Sequence, residues 1–255
     1  MKNSTKPLRI WLVGASEGIG FALLVHWLQA GHCVVASSRS AQTSPNLKRL
    51  QQAYPTQLRC MNLDVTESDG AVDCVQQAWS AFGGLDMWFY NVGLYQPMRM
   101  DEWVLADFER MMRANYWGVV RLMLALKPYF ITQGHGHWVW NISLAAYFGL
   151  PYGGGYSAPK AALLNLAESL QPELAQAGIR LQVINHGFVQ TRLTAKNNFT
   201  MPGLMTAEQA AQRIQQALAG TSGFEIRFPF ALRAMLSLLK LLPYRWSLAL
   251  SRRLL

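Results

Sequence analysis

Seven short apolar runs alternate with six helical stretches along this chain of 255 residues, and the alternation limits the fold more than any other feature. Parallel strands are joined by crossover helices, so such an alternation is typical of a parallel sheet covered on both faces. We therefore predict an α/β fold: a single doubly wound parallel sheet of about seven strands in residues 1–228, followed by a C-terminal helical extension in 229–255. The predicted strands are 8–13, 32–37, 57–63, 85–90, 136–142, 180–185 and 224–228, and the predicted helices are 18–30, 46–54, 67–82, 101–130, 156–177 and 206–219.

The composition fits one globular domain, since 51% of the residues are hydrophobic and 15% are charged. Cys33, Cys60 and Cys74 lack metal-ligand spacing, so we expect reduced packing residues of a cytoplasmic protein. The N-terminus runs directly into an apolar strand and leaves no room for a signal peptide. The net charge of +9 favours a phosphorylated cofactor, an acidic carrier protein, nucleic acid or an anionic membrane, and charge alone does not choose among them.

A glycine-rich stretch follows the first predicted strand and opens the first predicted helix. Gly14 permits a tight turn, Gly18 lets backbone approach a pyrophosphate, and Gly20 allows close packing of helix on strand. An isolated glycine cluster is often an ordinary turn, but its place between a strand and a helix predicts a dinucleotide-binding loop. The predicted members of this loop are Gly14, Ser16, Glu17, Gly18, Ile19 and Gly20.

The second predicted strand leads into Ser38 and Arg39. Dinucleotide folds choose between cofactors at this point, because a carboxylate binds a free ribose 2′-hydroxyl whereas an arginine accommodates a 2′-phosphate. Arg39 therefore favours NADP(H) over NAD(H), although a solvated loop cation is the alternative. Glu17 lies in the neighbouring loop and would repel that phosphate if it were near it.

Tyr156 and Lys160 stand four residues apart, which places both side chains on one face of a predicted helix. A neighbouring cation lowers the pKa of a phenol, so Lys160 is placed to activate Tyr156 for proton transfer. Ser143 follows an apolar strand, where a hydroxyl at a strand end is well placed for a site. Each feature alone has an ordinary structural explanation, and the set acquires meaning only from its order and spacing.

Taken together, these stretches resemble the short-chain dehydrogenase/reductase family over nearly the whole chain. Asn115, Ser143, Tyr156 and Lys160 match its catalytic tetrad, including an interval of thirteen residues from the serine to the tyrosine. The resemblance implies a Rossmann-type domain, a nicotinamide cofactor and a homodimer or homotetramer built on the 101–130 and 156–177 helices. It also implies further cofactor contacts from Asp64 and Val65 at the adenine, from Asn91, Val92 and Gly93 after the fourth strand, and from Gly187, Val189 and Thr191 after the sixth.

The chain departs from the family pattern at a few positions. Tyr90 and Val92 stand where an asparagine and an alanine are usual, and we interpret both as packing changes. His186 replaces a proline, and it either titrates near neutral pH or is a passive residue covering the nicotinamide. Pro172 predicts a kink in the helix that contains it.

The resemblance implies hydride transfer between the cofactor and a carbonyl carbon, with Tyr156 as proton donor and acceptor. Ser143 would bind the carbonyl oxygen, Lys160 would also hold the ribose, and Asn115 would fix a water that links Lys160 to solvent. The predicted mouth is mostly apolar or aromatic, which favours a small hydrophobic ketone, aldehyde or alcohol as substrate. Its residues are Leu94, Tyr95, 144–150, Tyr152, Phe188 and 193–204.

Two alternatives remain open. The positive charge favours a 3-oxoacyl reductase that acts on an acidic carrier protein, although the last strand lacks the glycine-rich ending usual in such enzymes. A non-catalytic NADP-binding regulator is a third class, and the intact tetrad argues against it. We expect no nucleic-acid partner and no metal.

The C-terminal extension is apolar and basic. Residues 230–242 carry a narrow polar stripe of Arg233, Ser237 and Lys240, and residues 244–255 combine aromatic residues and leucines with three arginines and no acid. This composition suits peripheral contact with the inner face of a membrane. The alternative is that the first helix packs on the sheet or on a second subunit.

Overall fold

The computed structural model describes residues 6–220 and 223–254, so the predictions for residues 1–5, 221, 222 and 255 lie outside the described residues. The strands are β1 (Arg9–Val13), β2 (Cys33–Ser38), β3 (Leu58–Asn62), β4 (Met87–Tyr90), β5 (Gly136–Asn141), β6 (Ile179–His186), β7 (Val189–Gln190), β8 (Met205–Thr206) and β9 (Glu225–Phe228). The α-helices are α1 (Gly18–Gln29), α2 (Pro45–Ala53), α3 (Ala71–Ser80), α4 (Leu105–Met112), α5 (Gly118–Gln133), α6 (Gly154–Gln176), α7 (Ala207–Gly220), α8 (Phe230–Leu241) and α9 (Tyr244–Ser251).

Seven strands form one parallel sheet in the order β3-β2-β1-β4-β5-β6-β9. The chain passes from β3 at one edge to β4 beside β1, so the strand order reverses between β1 and β4. In doubly wound sheets, ligands bind at the carboxyl ends of the strands beside such a reversal. The predicted fold class is confirmed.

The strands are buried on both faces, and β1 shows why. Ile10 and Leu12 pack into the layer beneath α1 and α7, whereas Trp11 and Val13 pack into the layer beneath α3, α5 and α6. Because side chains alternate along a strand, a continuous apolar run supplies both layers. The sheet is therefore held between two helical layers and presents its strand ends as a rigid edge.

The predicted helix 101–130 is wrong at its start. Residues Met100–Glu102 form a single 3₁₀ turn, and Trp103 and Val104 are extended. The helix begins at Leu105, widens into a π turn over Arg113–Trp117 and continues as α5. The short strands β7 and β8 form a separate pair that the sequence analysis missed. Pro172 lies inside α6 without ending it.

The C-terminal extension forms two helices. Leu232, Leu236 and Leu239 of α8 are buried against the turn that follows β5. Within the part of the chain that the structure describes, no helix is long and apolar enough to cross a membrane.

Candidate active site

The carboxyl ends of β1, β4, β5 and β6 border one cavity of about 490 Å³. All residues predicted for the catalytic and cofactor sites line this cavity, except Gly20 and Asn115. Residues far apart in the sequence therefore meet in one space whose size suits a small-molecule site.

The glycine loop between β1 and α1 takes its shape from the backbone freedom of glycine. Gly14 has a φ of +94° and Gly18 a φ of +57°, values that disfavour side chains. A Cβ on Gly20 would lie 2.0 Å from the carbonyl oxygen of Gly14, so Gly20 brings α1 against the loop instead of lining the cavity. The start of α1 therefore points at a space without side chains, which fits the pyrophosphate of a dinucleotide.

Charges of opposite sign lie in the glycine loop and at the neighbouring end of β2. Arg39, at the end of β2, is exposed at the cavity and forms no ion pair among the described residues. Glu17 pairs with Arg192, with 2.7 Å between carboxylate and guanidinium, and Arg192 also lines the cavity. The pair offsets the negative charge of Glu17, and Arg39 is free to meet an anion such as a 2′-phosphate. Arg192 was not predicted from the sequence.

The turn after β3 is ordered by Asp64. Its Oδ1 accepts hydrogen bonds from the backbone nitrogen of Thr66, at 2.9 Å, and from the Thr66 hydroxyl, at 2.7 Å. The carbonyl of Val65 accepts from Arg121 at 3.3 Å. These contacts hold the turn beside the predicted adenine position.

Two asparagines join the strand ends beneath the cavity. Asn91 Nδ2 donates to the carbonyl of Gly14 at 2.9 Å, and Asn141 Nδ2 donates to Asn91 Oδ1 at 2.7 Å. Lys160 Nζ donates in turn to the carbonyl of Asn141 at 3.0 Å. The loops after β1, β4 and β5 are thus tied to α6 by one chain of hydrogen bonds.

Tyr156 and Ser143 face each other across the cavity floor. Burial raises the pKa of Tyr156 to about 12, while a hydrogen bond with Ser143 acts in the opposite direction. The Ser143 hydroxyl also accepts a hydrogen bond from the backbone nitrogen of Ala145 at 3.1 Å, so its own proton is free to be donated. Tyr95 packs edge-on against the Tyr156 ring with 5.2 Å between centroids.

Lys160 is only 2% exposed, and this burial lowers its pKa to about 7. Its ammonium lies 5.7 Å from the centroid of the Tyr156 ring. The expectation that Lys160 lowers the pKa of Tyr156 is wrong for the protein alone, because burial disfavours the charged form of both groups. The Lys160 Nζ, held on the carbonyl of Asn141, borders the cavity and is placed to contact a cofactor bound there.

Asn115 lies in the π turn between α4 and α5 and is fully buried. Its amide donates to the carbonyl of Leu94 at 2.8 Å and accepts from the backbone nitrogen of Leu94 at 3.0 Å. The side chain therefore fixes the loop after β4, and the expectation that Asn115 holds a water for Lys160 stays a prediction. Tyr90 is more than a packing change, since its hydroxyl donates to the carbonyl of Ala114 in the same π turn at 2.7 Å.

A buried amide and a carboxylate hold the turn that carries Ser143. Asn185 Oδ1 accepts from the backbone nitrogen of Ser143 at 3.2 Å, and Asn185 Nδ2 donates to Glu225 Oε1 at 2.7 Å. Tyr147, in the same turn, donates its hydroxyl to the same Glu225 oxygen. Arg227 pairs with the other oxygen at 3.2 Å. These contacts were not predicted from the sequence, because the residues that form them share no motif.

The wall opposite the glycine loop is apolar. Leu94, Tyr95 and Phe188 line the cavity as predicted. Of the predicted stretches 144–150 and 193–204, only Leu144, Ala145, Leu150, Leu193, Thr194, Asn197 and Phe199 line it, and Tyr152 does not. Leu232 and Leu236 of α8 complete this wall and were not predicted for the site. The C-terminal extension therefore contributes to the cavity itself.

His186 does not titrate near neutral pH. Burial lowers its pKa to about 4, although a hydrogen bond between Nδ1 and the carbonyl of Gly187, at 2.7 Å, opposes this effect. The ring stacks on Phe228 with 6.4 Å between centroids. Of the two interpretations, the passive neutral residue is the one that agrees with the structure.

A glycine loop and a Ser-Tyr-Lys group in one cavity define an α/β oxidoreductase. The model of the short chain dehydrogenase family matches residues 9–201 of the chain. An uncharacterized oxidoreductase from Myxococcus xanthus is 30% identical over 243 residues, which cover 95% of this chain and 96% of that protein. The chain therefore belongs to the short-chain dehydrogenase family.

Two further proteins are similar to this chain. A short chain dehydrogenase from Burkholderia cenocepacia, determined in complex with NADP, superimposes with a TM-score of 0.80 at 24% identity and covers 98% of both chains. A 3-oxoacyl-[acyl-carrier-protein] reductase from Thermotoga maritima is 26% identical over 185 residues, or 72% of this chain and 75% of that protein.

Proposed function

We propose that this protein is an NADP(H)-dependent oxidoreductase that interconverts a small hydrophobic ketone or aldehyde and its alcohol. The observation that carries the proposal is the convergence of Ser143, Tyr156 and Lys160 on one cavity, whose far end is the glycine loop and Arg39. The apolar wall that faces Tyr156 supports a hydrophobic substrate. The NADP complex of the Burkholderia cenocepacia relative supports the choice of cofactor.

Each side chain has a defined task in the proposed reaction. NADPH, when bound, supplies the hydride. A phenol with a pKa of about 12 is protonated at neutral pH, so Tyr156 is ready to donate a proton to the carbonyl oxygen. The Ser143 hydroxyl, which is hydrogen-bonded with Tyr156, would donate its proton to the charge that develops on that oxygen. Lys160 would bind the ribose, and Asn115 would hold the Leu94 loop in position.

The test is the oxidation of NADPH with a panel of ketones, aldehydes and carrier-linked acyl substrates. Tyr156→Phe removes only the hydroxyl, so we expect at least about a hundredfold loss of turnover with NADPH binding retained. Tyr129→Phe, outside the cavity, is the matched control. Turnover by Tyr156→Phe within tenfold of wild type would contradict the assignment.

A second candidate is reduction of an acyl chain on an acidic carrier protein. The Thermotoga maritima relative and the net charge of +9 favour it. Leu232 and Leu236 close the cavity with a helix that follows the last strand, and this feature favours the free carbonyl compound. Comparison of a carrier-linked substrate with the corresponding free ketone separates the two.

We further propose a homodimer or homotetramer, located in the cytoplasm, with the membrane contact that the C-terminal extension suggests. Leu105 on α4, Trp117 at the end of the π turn and Leu124 on α5 are exposed, and apolar helical faces of this kind favour symmetric pairing. Light scattering at micromolar concentration should give a mass at least twice that of the chain. A monomeric mass would refute the oligomer.

A further inference from the structure

Helix α8 is apolar on two opposite sides. Leu232, Leu236 and Leu239 face the protein, whereas Leu238 and Leu241 are 58% and 82% exposed on the other side. A helix at the surface of a soluble domain normally presents a polar outer face. The outer side of α8 is therefore suited to a second apolar environment.

Helix α9 buries polar side chains and exposes apolar ones, which is the reverse of the usual arrangement. Its buried residues are Ser247 and Ser251, while Trp246, Leu248 and Leu250 are at least 43% exposed. Burying hydroxyl groups while exposing an indole and two leucines is unfavourable against water. We call the exposed side chains of α8 and α9 together the tail surface.

The charges of the tail surface have one sign. The chain has no acidic residue after Glu225. The cations of α8, of α9 and of the turn that follows α9, which we include in the tail surface, are Arg233, Lys240, Arg245, Arg252 and Arg253. None of them forms an ion pair within residues 6–220 and 223–254. On α4 and the π turn, by contrast, Arg110 pairs with Asp107 and Arg113 with Glu109. The uncompensated cations are complementary to an anionic surface.

We propose that the tail surface binds an anionic lipid membrane, and that the cavity takes its carbonyl substrate from that membrane. The second part rests on the proposed function. An α-helix is about 10 Å across, so α8 alone separates the bound lipid from the cavity wall formed by Leu232 and Leu236. Aromatic and leucine side chains combined with arginines are typical of helices that lie in the membrane interface.

A second copy of the chain is the competing occupant of the tail surface. The apolar face of Leu105, Trp117 and Leu124 already offers a place for self-association, and the nearby cations on α4 are paired with acids. Five like charges facing their own copies would repel each other across a symmetric interface. The membrane therefore agrees better with the charge.

Flotation of the full-length protein tests membrane binding directly. We expect the wild type to float with vesicles of mixed phosphatidylcholine and phosphatidylglycerol at low salt, and to stay behind with phosphatidylcholine alone. Salt at about 1 M shortens the screening length to about 3 Å and should weaken binding. Wild-type protein that fails to float with the anionic vesicles at low salt overturns the proposal.

Exposed residues can be changed without disturbing the core. Leu238→Ser, Leu241→Ser and Trp246→Ser combined should weaken binding to the anionic vesicles by about tenfold or more. Val72→Ser combined with Met100→Ser removes apolar side chains exposed elsewhere and should float like the wild type. Equal flotation of the tail variant and the wild type, or dissociation of an oligomer by the tail variant, overturns the proposal in favour of another occupant.

Substrate delivery needs its own measurement. With a ketone dissolved in the vesicles, the tail variant should be about tenfold slower than the wild type, and with a water-soluble ketone the two should be equal. Equal loss on both ketones overturns the delivery step. If the wild type floats but reduces no ketone, the proposed function fails and membrane binding stands; if it reduces ketones without floating, only the present inference fails.

Discussion

Replacement of Asn185 by aspartate tests how the Ser143 turn is held. Asn185 is fully buried, and its Nδ2 lies 2.7 Å from Glu225 Oε1. Asn185→Asp places a second carboxyl group against Glu225. Two unit charges at that distance repel by about 6 kcal/mol at an effective dielectric constant of 20, and Arg227 offsets part of this. The two carboxyls should therefore share one proton near neutral pH.

The shared proton makes the effect dependent on pH. We expect it to leave with an apparent pKa about two to four units above the ordinary value for aspartate, which is about 3.9. Below that pKa the introduced carboxyl group is protonated, so it can donate to Glu225 and accept from Ser143, as asparagine does. Above it the carboxylates separate and the backbone of Ser143 loses its partner, which costs about 1–2 kcal/mol or roughly 5- to 30-fold in kcat.

The assay is kcat across about pH 5.5–9 for Asn185→Asp, Glu225→Gln and the double variant. Glu225→Gln alone loses an exposed ion pair worth about 1 kcal/mol or less and should resemble the wild type. The double variant restores a donor facing the introduced carboxylate and should lose the pH dependence. In thermal unfolding of the cofactor-free proteins, only Asn185→Asp should lose stability relative to the wild type as the pH rises. An Asn185→Asp profile parallel to wild type, or no rescue in the double variant, would refute the reasoning.

Three further predictions concern charge in the cavity. The pKa of Lys160 is about 7 in the folded protein against 10.5 in the unfolded chain, so the free energy of unfolding of the wild type should rise from about pH 7 to 10. Near pH 7 the free energy of unfolding of Lys160→Met should exceed that of the wild type by roughly 3 kcal/mol, once the lost hydrogen bond to Asn141 is subtracted. Its unfolding temperature should be higher accordingly, and the difference should shrink as the pH rises. Arg39→Asp should weaken NADPH binding at least about tenfold more than NADH binding, and equal losses in a fluorescence titration would show that Arg39 does not contact a 2′-phosphate. Arg192→Ala frees the carboxylate of Glu17 and should weaken binding of both cofactors by about threefold, whereas the paired change with Glu17→Gln should restore it.

The sequence was sufficient for the sheet and for most residues of the cavity that lie in the glycine loop and at the strand ends. Apolar runs set the strands within one or two residues, because a strand buried on both faces needs an uninterrupted run. The glycine loop and the Tyr156–Lys160 spacing depend on local geometry, so they could be recognised from local patterns. The start of α4 was misplaced because Trp103 and Val104 fit a helical pattern but lie extended.

Contacts between residues that are far apart in the sequence could not be predicted from it. Asn185 and Glu225 are forty residues apart, and nothing in their neighbours indicates a hydrogen bond. The contribution of Leu232 and Leu236 to the cavity depends on how α8 folds back over the sheet edge. The pKa of Tyr156 was predicted in the wrong direction, because spacing shows that a cation is near but not how far burial disfavours its charge.

The π turn over Arg113–Trp117 can also be understood as one additional residue in an otherwise continuous helix. Because the widened turn takes up that residue locally, α4 and α5 keep the phase of one uninterrupted α-helix, and Leu122, Leu126 and Phe130 stay in the core. Removing one residue from a regular α-helix would instead rotate all that follows by about 100°. The π turn thus lets the chain carry an additional residue beside Asn115, which is held against Leu94, without turning α5 away from the sheet.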